Sequence, residues 1–278
     1  MKEFKIRCSA IGQIVSGNMG LTDIQEAKLF DLENKTKALT LNQAAELEKL
    51  RNKKLFPELP ATAKSYCQAW IKEQLYDRRK DIVSKYLEKG NEVENESIAF
   101  IGRQLGVSEF ELETGQFAKN EQFFEDAFIQ GTPDVITKDY IIDTKSSWDA
   151  FTFPLFEEEL PNSDYYWQAQ GYMKLVGIPD YKLAYTLMNT PDSLIEAEAR
   201  RYCYKNGIDM EDVDYQEFYD HMTYDHIPPE LKIKIFDIKF NELDILLIVE
   251  RVVACREYIA KELAKLPESV KQLHGIEG

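Results

Sequence analysis

The chain has 278 residues, 44% of them hydrophobic and 30% charged, and a formal net charge of −15 at pH 7. That balance suits a globular domain with a sizeable core. The net charge counts against a simple DNA-coating protein, which would be basic. No apolar run approaches the ~18 residues of a membrane span. The start, MKEFKIRCSA, lacks the apolar segment of a secretory signal, so the expectation is an intracellular, cytoplasmic protein.

In chain order, residues 22 to 53 read as helical and polar, with Asn42 to Leu50 typical of an exposed helix. Leu55-Phe-Pro-Glu-Leu-Pro60 is a break. A second helix is expected from about Ala61 to Leu87, with Cys67, Trp70, Ile71, Leu75, Ile82 and Val83 near helical spacing. Gly90 interrupts that pattern, and a further helix runs from about Glu92 to Gln104. Short β-rich segments follow at Gln122 to Ile129, Asp134 to Thr137 and Tyr140 to Ser146, punctuated by Gly, Pro and Asp as in hairpins. Then come a helix over Tyr165 to Leu175, a strand over Lys182 to Met188 and a helix over Leu194 to Tyr204. An alternating strand, Lys232 to Phe240, leads into a long closing helix, Asn241 to Leu266.

This order predicts an α/β (α+β) fold, a central mixed sheet flanked by helices. Residues 1–278 form a single domain in this reading. Residues 1–85 are an N-terminal, mainly helical region, 86–200 a core, and 201–278 a C-terminal strand and long helix. Cys8, Cys67, Cys203 and Cys255 are widely spaced with no CxxC pair, which predicts reduced, mostly buried thiols. The basic runs Arg51-Asn-Lys-Lys54 and Arg78-Arg-Lys80 read as solvated helix faces. His221, His226 and His274 lie outside every motif.

The informative stretch is Gly131-Thr-Pro-Asp134-Val-Ile-Thr-Lys-Asp-Tyr-Ile-Ile-Asp143-Thr-Lys145. Asp143 and Lys145 are two apart in a strand, so both side chains leave one face. A two-residue loop at Lys138-Asp139 would set Asp134 directly opposite Asp143, with Cβ atoms about 5 Å apart. Two carboxylates so close repel each other unless a cation lies between them. A hard divalent ion such as Mg²⁺ takes carboxylate oxygens, waters and phosphate oxygens. It would lower the pKa of a bound water and polarise a phosphoryl oxygen. Lys145 would orient that water or offset charge developing on phosphorus, and the Thr144 carbonyl is a further candidate ligand. The alternative is an ordinary exposed hairpin, since Lys138-Asp139 is not a favoured type I′ pair. The acidic balance of the chain fits a metal-dependent enzyme, because bound cations restore positive charge at a phosphate.

On these residues the chain resembles the PD-(D/E)XK nuclease superfamily, with Pro133-Asp134 as the "PD" and Asp143-Thr144-Lys145 as the "(D/E)XK". Gly90-Asn-Glu-Val-Glu94 resembles the Gly-x-x-x-Glu helix of the phage-exonuclease branch, which includes lambda exonuclease and the YqaJ viral recombinase family. Tyr165-Tyr-Trp-Gln168-Ala-Gln170-Gly-Tyr172 resembles the Gln-x-x-x-Tyr helix of RecB-like nucleases. Gln168 and Tyr172 share a helix face, and Gln170 is an alternative match to the lambda-type glutamine. Arg7-Cys-Ser9-Ala-Ile-Gly12 is similar to the segment that opens this branch. The branch's phosphate-binding arginine lies further upstream, where this chain offers Lys2, or else Arg7.

The resemblance implies a restriction-endonuclease-like sheet. It implies Asp134, Asp143, Thr144 and Glu94 around Mg²⁺, with Mn²⁺ as a substitute, and Lys145 and Gln168 as catalytic partners. For contact with substrate phosphate it implies Ser9, Arg7, Tyr172 and Gln170. Iron–sulfur relatives carry a C-terminal cysteine cluster that this chain lacks, so no cluster is expected. The activity implied is 5′-to-3′ digestion of linear double-stranded DNA from its ends. The setting implied is phage-type recombination in a bacterial cytoplasm, encoded by a phage or prophage, with a single-strand annealing or recombinase partner and a trimeric ring. Rival readings are a restriction-like or structure-specific endonuclease, a catalytically silent DNA-binding protein and an RNA-directed nuclease. Glu94 alone could also be a surface carboxylate beside Glu92 and Glu96, and Tyr172 a core tyrosine.

Overall fold

The computed structural model describes residues 1–80 and 84–276. The strands are β1 (Ile6–Arg7), β2 (Phe124–Glu125), β3 (Ile129–Gly131), β4 (Val135–Ile136), β5 (Ile141–Ser146), β6 (Asp180–Thr186) and β7 (Ile233–Lys239). The helices before the sheet are α1 (Ile11–Val15), α2 (Asp23–Glu33), α3 (Leu41–Leu55), α4 (Ala61–Tyr76), α5 (Lys85–Gln104) and α6 (Glu109–Glu113). Within and after it come α7 (Ser163–Val176), α8 (Asp192–Asn206), α9 (Tyr215–Met222), α10 (Glu242–Ala264) and α11 (Glu268–His274). Among the described residues no helix is long and apolar enough to cross a membrane.

The chain divides into two compact units. One comprises Met1–Ile6, Ala10–Lys80 and Glu242–Gly278, the other Arg7–Ser9 and Asp81–Asn241. In the first unit α1, α4 and α10 pack together. Their core holds Phe4 edge-on to Trp70, with ring centroids 5.3 Å apart, and the buried thiols Cys67 and Cys255. Leu21, Leu29 and Leu50 form a smaller cluster where α2 meets α3.

The expected continuous helix over 22–53 is two helices. Thr22 and Thr40 each cap a new one, the threonine hydroxyl accepting from the N3 backbone while Gln25 or Gln43 reaches back to the threonine N–H. This reciprocal box satisfies amides that a helix start leaves unpaired. α4 stops at Tyr76 because Asp77 adopts a left-handed φ of 47°. The proposed positions Ile82 and Val83 lie outside the described residues. Gly90 does not interrupt a helix: it sits inside α5, which Ser84 caps. Tertiary packing of Val93, Ile98 and Ile101 outweighs the ~1 kcal/mol helix penalty of one glycine. The segment expected as a strand from Gln122 to Ile129 is broken at Asp126, whose carboxylate accepts from the N–H groups of Phe128 and Ile129.

The second unit carries the predicted mixed sheet, in the order β4-β5-β6-β7. β4 and β5 are antiparallel, β5 and β6 parallel, β6 and β7 antiparallel. A parallel pair needs a long crossover, and α7 supplies it. α5 packs on β5 through a core of Ile98, Ile101, Phe117, Val135, Ile142 and Ala184. Alternation therefore turns Asp143 and Lys145 to the other face of β5, where α7 packs. A second sheet has the order β1-β3-β2, Arg7 being the β1 residue that belongs to this unit.

Candidate active site

The β4–β5 hairpin has the register that the two-residue loop predicts, with Val135 opposite Ile142 and Ile136 opposite Ile141. The Thr137 N–H closes it on the Tyr140 carbonyl at 3.0 Å. Lys138-Asp139 is a poor turn pair, and the Thr137 hydroxyl compensates. It accepts from the Asp139 and Tyr140 N–H groups and donates to the Tyr140 carbonyl at 2.7 Å.

Continuing that register, Pro133 falls opposite Thr144. Proline has no N–H, so the ladder ends there, and the Pro133 carbonyl accepts from the Asn120 side chain at 2.9 Å. The Thr144 N–H donates to Asp134 Oδ2 at 2.7 Å. The proline thus ends strand pairing one residue before the acid, and the acid takes the amide left over. This is a local physical reason for a Pro-Asp pair beside an Asp-x-Lys strand.

Asp143 is 1% exposed. Its Oδ1 accepts from Gln168 Nε2 at 3.1 Å. Its Oδ2 is buried without a well-aligned hydrogen bond and ion-pairs with the Lys145 ammonium. Lys145 keeps 22% side-chain exposure, so the cluster reaches solvent along the Lys145 side chain. Burial and the nearby Asp143 charge push the Asp134 carboxyl well above the usual carboxylate range, and Glu94 adds to this. The Lys145 charge and the Thr144 amide offset part of it. Burial pulls the Lys145 ammonium down, but Asp143 and Asp134 outweigh it and hold its pKa above the ordinary lysine value.

Gln168 also points its Nε2 at the Tyr172 hydroxyl, 3.4 Å away. The Tyr172 ring lies against Gly131 and Cys8. Its hydroxyl is pushed far up by burial and by the Asp143 charge. Burial likewise pushes the Cys8 thiol up, the Asp126 and Asp143 charges adding to it. Ser9, next in the chain, is exposed, and Arg7 is half-buried. Glu94 is near enough to act on Asp134, yet its carboxylate pairs with Lys119 at 2.6 Å. Gln170 stands apart from this cluster. It is fully buried, donating to the Lys239 carbonyl and accepting from the Asn241 N–H, both at 2.9 Å. Its amide is bonded at the end of β7.

Among the described residues no group of three or more His, Cys, Asp and Glu side chains closes round one point. What the hairpin builds is a pair of acids. The two acids share one ammonium, Lys145, and burial, with the Asp143 charge second, raises the Asp134 pKa. Such a pair fits a hard divalent cation that keeps several waters. Two residues here were not singled out in the sequence. Lys119 comes from a loop 25 residues past Glu94, and no local pattern links them. Tyr165, whose ring lies 4.8 Å from the Lys145 ammonium, stands three before Gln168. That helical spacing was a usable signal.

A mixed sheet with a Pro-Asp turn and an Asp-x-Lys strand on one face, and a glutamine helix over it, defines the PD-(D/E)XK nuclease fold. No family model matches the chain, and no curated protein matches it. Solved structures do. A phage-related exonuclease from Haemophilus somnus 129PT is 25% identical, with a TM-score of 0.68 over 96% of this chain and 98% of that one. An alkaline exonuclease, LHK-Exo, from Laribacter hongkongensis shares the fold at 13% identity, with a TM-score of 0.53 over 97% of this chain and 94% of that one. LHK-Exo in complex with dAMP gives 14% identity and a TM-score of 0.52, with the same coverage. Fold and motif together resemble those of the PD-(D/E)XK nucleases of the phage-exonuclease branch.

Proposed function

We propose that this nuclease is a divalent-metal-dependent exonuclease that digests linear double-stranded DNA from its ends, in the 5′-to-3′ direction, during phage-type recombination. One observation carries the reading. The hairpin register brings Asp134 beside Asp143, with Lys145 and Gln168 on the same cluster. The whole-chain similarity to a phage-related exonuclease supports it.

In this reading Asp134, Asp143 and the Thr144 carbonyl hold Mg²⁺ or Mn²⁺, with Glu94 lending charge from the side. When bound, the ion supplies an activated water and a polarised phosphoryl oxygen. Gln168 fixes the orientation of the Asp143 carboxylate by donating to Oδ1. Lys145 presents a persistent positive charge where charge develops on the phosphate. Tyr172 supports Gln168 from beneath. Arg7 and Ser9, flanking the buried Cys8, are the residues proposed to meet the terminal phosphate. A trimeric ring and a single-strand annealing or recombinase partner belong to the same proposal.

The test is end-labelled linear duplex beside covalently closed plasmid, with Mg²⁺ and with EDTA. Loss of the linear DNA alone, only with metal and from the 5′ end, is the expected result. Cutting of the closed circle would make the protein an endonuclease. Undiminished activity in Lys145→Ala would remove the proposed chemistry.

A further inference from the structure

We infer that Tyr165 is a positioning residue for Lys145: its ring face is the seat that keeps the ammonium at the site when a divalent cation takes the Asp143 carboxylate. The inference rests on the metal-site reading above and adds a residue to it.

The argument begins with competition for one oxygen. Lys145 ion-pairs with Asp143 Oδ2, an atom the proposed ligand set needs. A divalent ion on that carboxylate would repel the ammonium as well as displace it. Lys145 has solvent on one side, with 22% of its side chain exposed, and without a second partner it would swing outward. The Tyr165 ring provides that partner. Its centroid is 4.8 Å from Nζ, inside the ~6 Å reach of a cation–π contact.

The ring is held in place. Tyr165 packs edge-on to Tyr185, centroids 6.3 Å apart, and Tyr185 packs edge-on to Phe236 at 5.9 Å. Tyr185 is the β6 residue in direct register with Lys145, so this aromatic row runs from α7 across β6 and β7 on the face of the acids. The spacing on α7 falls about 2 Å short of that on β5, a gap that long side chains span. Residues three apart on a helix rise about 4.5 Å, and residues two apart on a strand about 6.6 Å. One face of α7 can therefore address both functional residues of β5: Gln168 holds Asp143, and Tyr165 covers Lys145.

The experiment is calorimetric titration of the purified full chain with Mn²⁺, without DNA. Tyr165→Leu lets the displaced ammonium leave the ion's neighbourhood and should bind Mn²⁺ up to about tenfold more tightly than wild type, the size of a partly desolvated cation–π contact. Tyr165→Phe keeps the ring and should retain the affinity. Lys145→Met removes the competing ammonium and should bind more tightly. In that background the Tyr165→Leu effect should vanish, since the two residues act as a pair. An equal change in both backgrounds would mean that the ring serves packing alone, and would overturn the inference while leaving the metal site standing. Wild-type protein that binds no Mn²⁺ would overturn both. If Tyr165→Leu does not unfold cooperatively, Tyr165→Met takes its place in the same cycle. With linear duplex, kcat should fall in Tyr165→Leu with KM little changed.

Discussion

Substituting Gly131 tests how tightly the site is supported from below. A Cβ placed there would lie 2.7 Å from Cε1 of Tyr172, 3.1 Å from Cys8 Sγ and 3.3 Å from Cys8 Cβ. Carbon–carbon contacts sit near 3.5–4.0 Å, so the tyrosine ring must retreat by roughly 1 Å. It has little room, because Tyr172 is 6% exposed and its hydroxyl faces Gln168. Overpacking of this kind costs about 1–3 kcal/mol. At about 2–4 °C per kcal/mol for chains of this size, Gly131→Ala should lower Tm by roughly 2–12 °C. The displaced ring should also carry Gln168 off Asp143 and lower kcat. Differential scanning fluorimetry and a linear-duplex assay on the same preparation would read both effects. Tyr172→Leu should relieve the clash, so the double variant should lose less stability than the two single changes together. A Gly131→Ala protein with unchanged Tm and unchanged cleavage would refute the reasoning.

Three further outcomes are expected. Gln168→Leu removes a hydrogen bond to a buried carboxylate, which should cost about 1–3 kcal/mol and slow cleavage, measured by denaturant melts and steady-state rates. In metal-free protein the raised Asp134 pKa means that the folded state binds a proton the unfolded chain has released. Its stabilising contribution is therefore present below the ordinary carboxylate pKa of about 4 and is lost as pH rises toward the raised value. EDTA-treated protein should accordingly lose Tm between pH 5 and 8 more steeply than Asp134→Asn, and thermal scans in parallel buffers would show a common slope if the idea is wrong. Lys119→Met should free the Glu94 carboxylate and tighten Mn²⁺ binding several-fold by calorimetry, and weaker binding would count against a metal role for Glu94.

The β4–β5 hairpin was legible because its information is local. A two-residue loop fixes the register, and period two fixes which side chains share a face. The mixed sheet followed from element order. Other features depended on distance or were passed over. Gly90 reads as a helix breaker in isolation, yet Val93, Ile98 and Ile101 hold the helix through it. The division of residues 22 to 53 was available in the two Thr-x-x-Gln boxes, which look like ordinary polar sequence until the caps are recognised. α9 and α11 are short, lie outside the motifs and were not anticipated. Gln170 and Gln168 are equally good motif matches, and only burial separates the residue bound to β7 from the one on Asp143. The Lys119–Glu94 pair joins a loop to a helix and has no sequence signature.

The two acids ride on backbone of unequal firmness. Asp143 belongs to β5, which is bonded to neighbours on both edges, so its amides should be among the slowest to exchange with heavy water. Asp134 sits on a bend just ahead of β4, tied to β5 by one hydrogen bond from Thr144 to its own carboxylate. Any adjustment to ions of different radius would therefore fall to the Asp134 side, with the β5 side serving as the fixed jaw of the clamp.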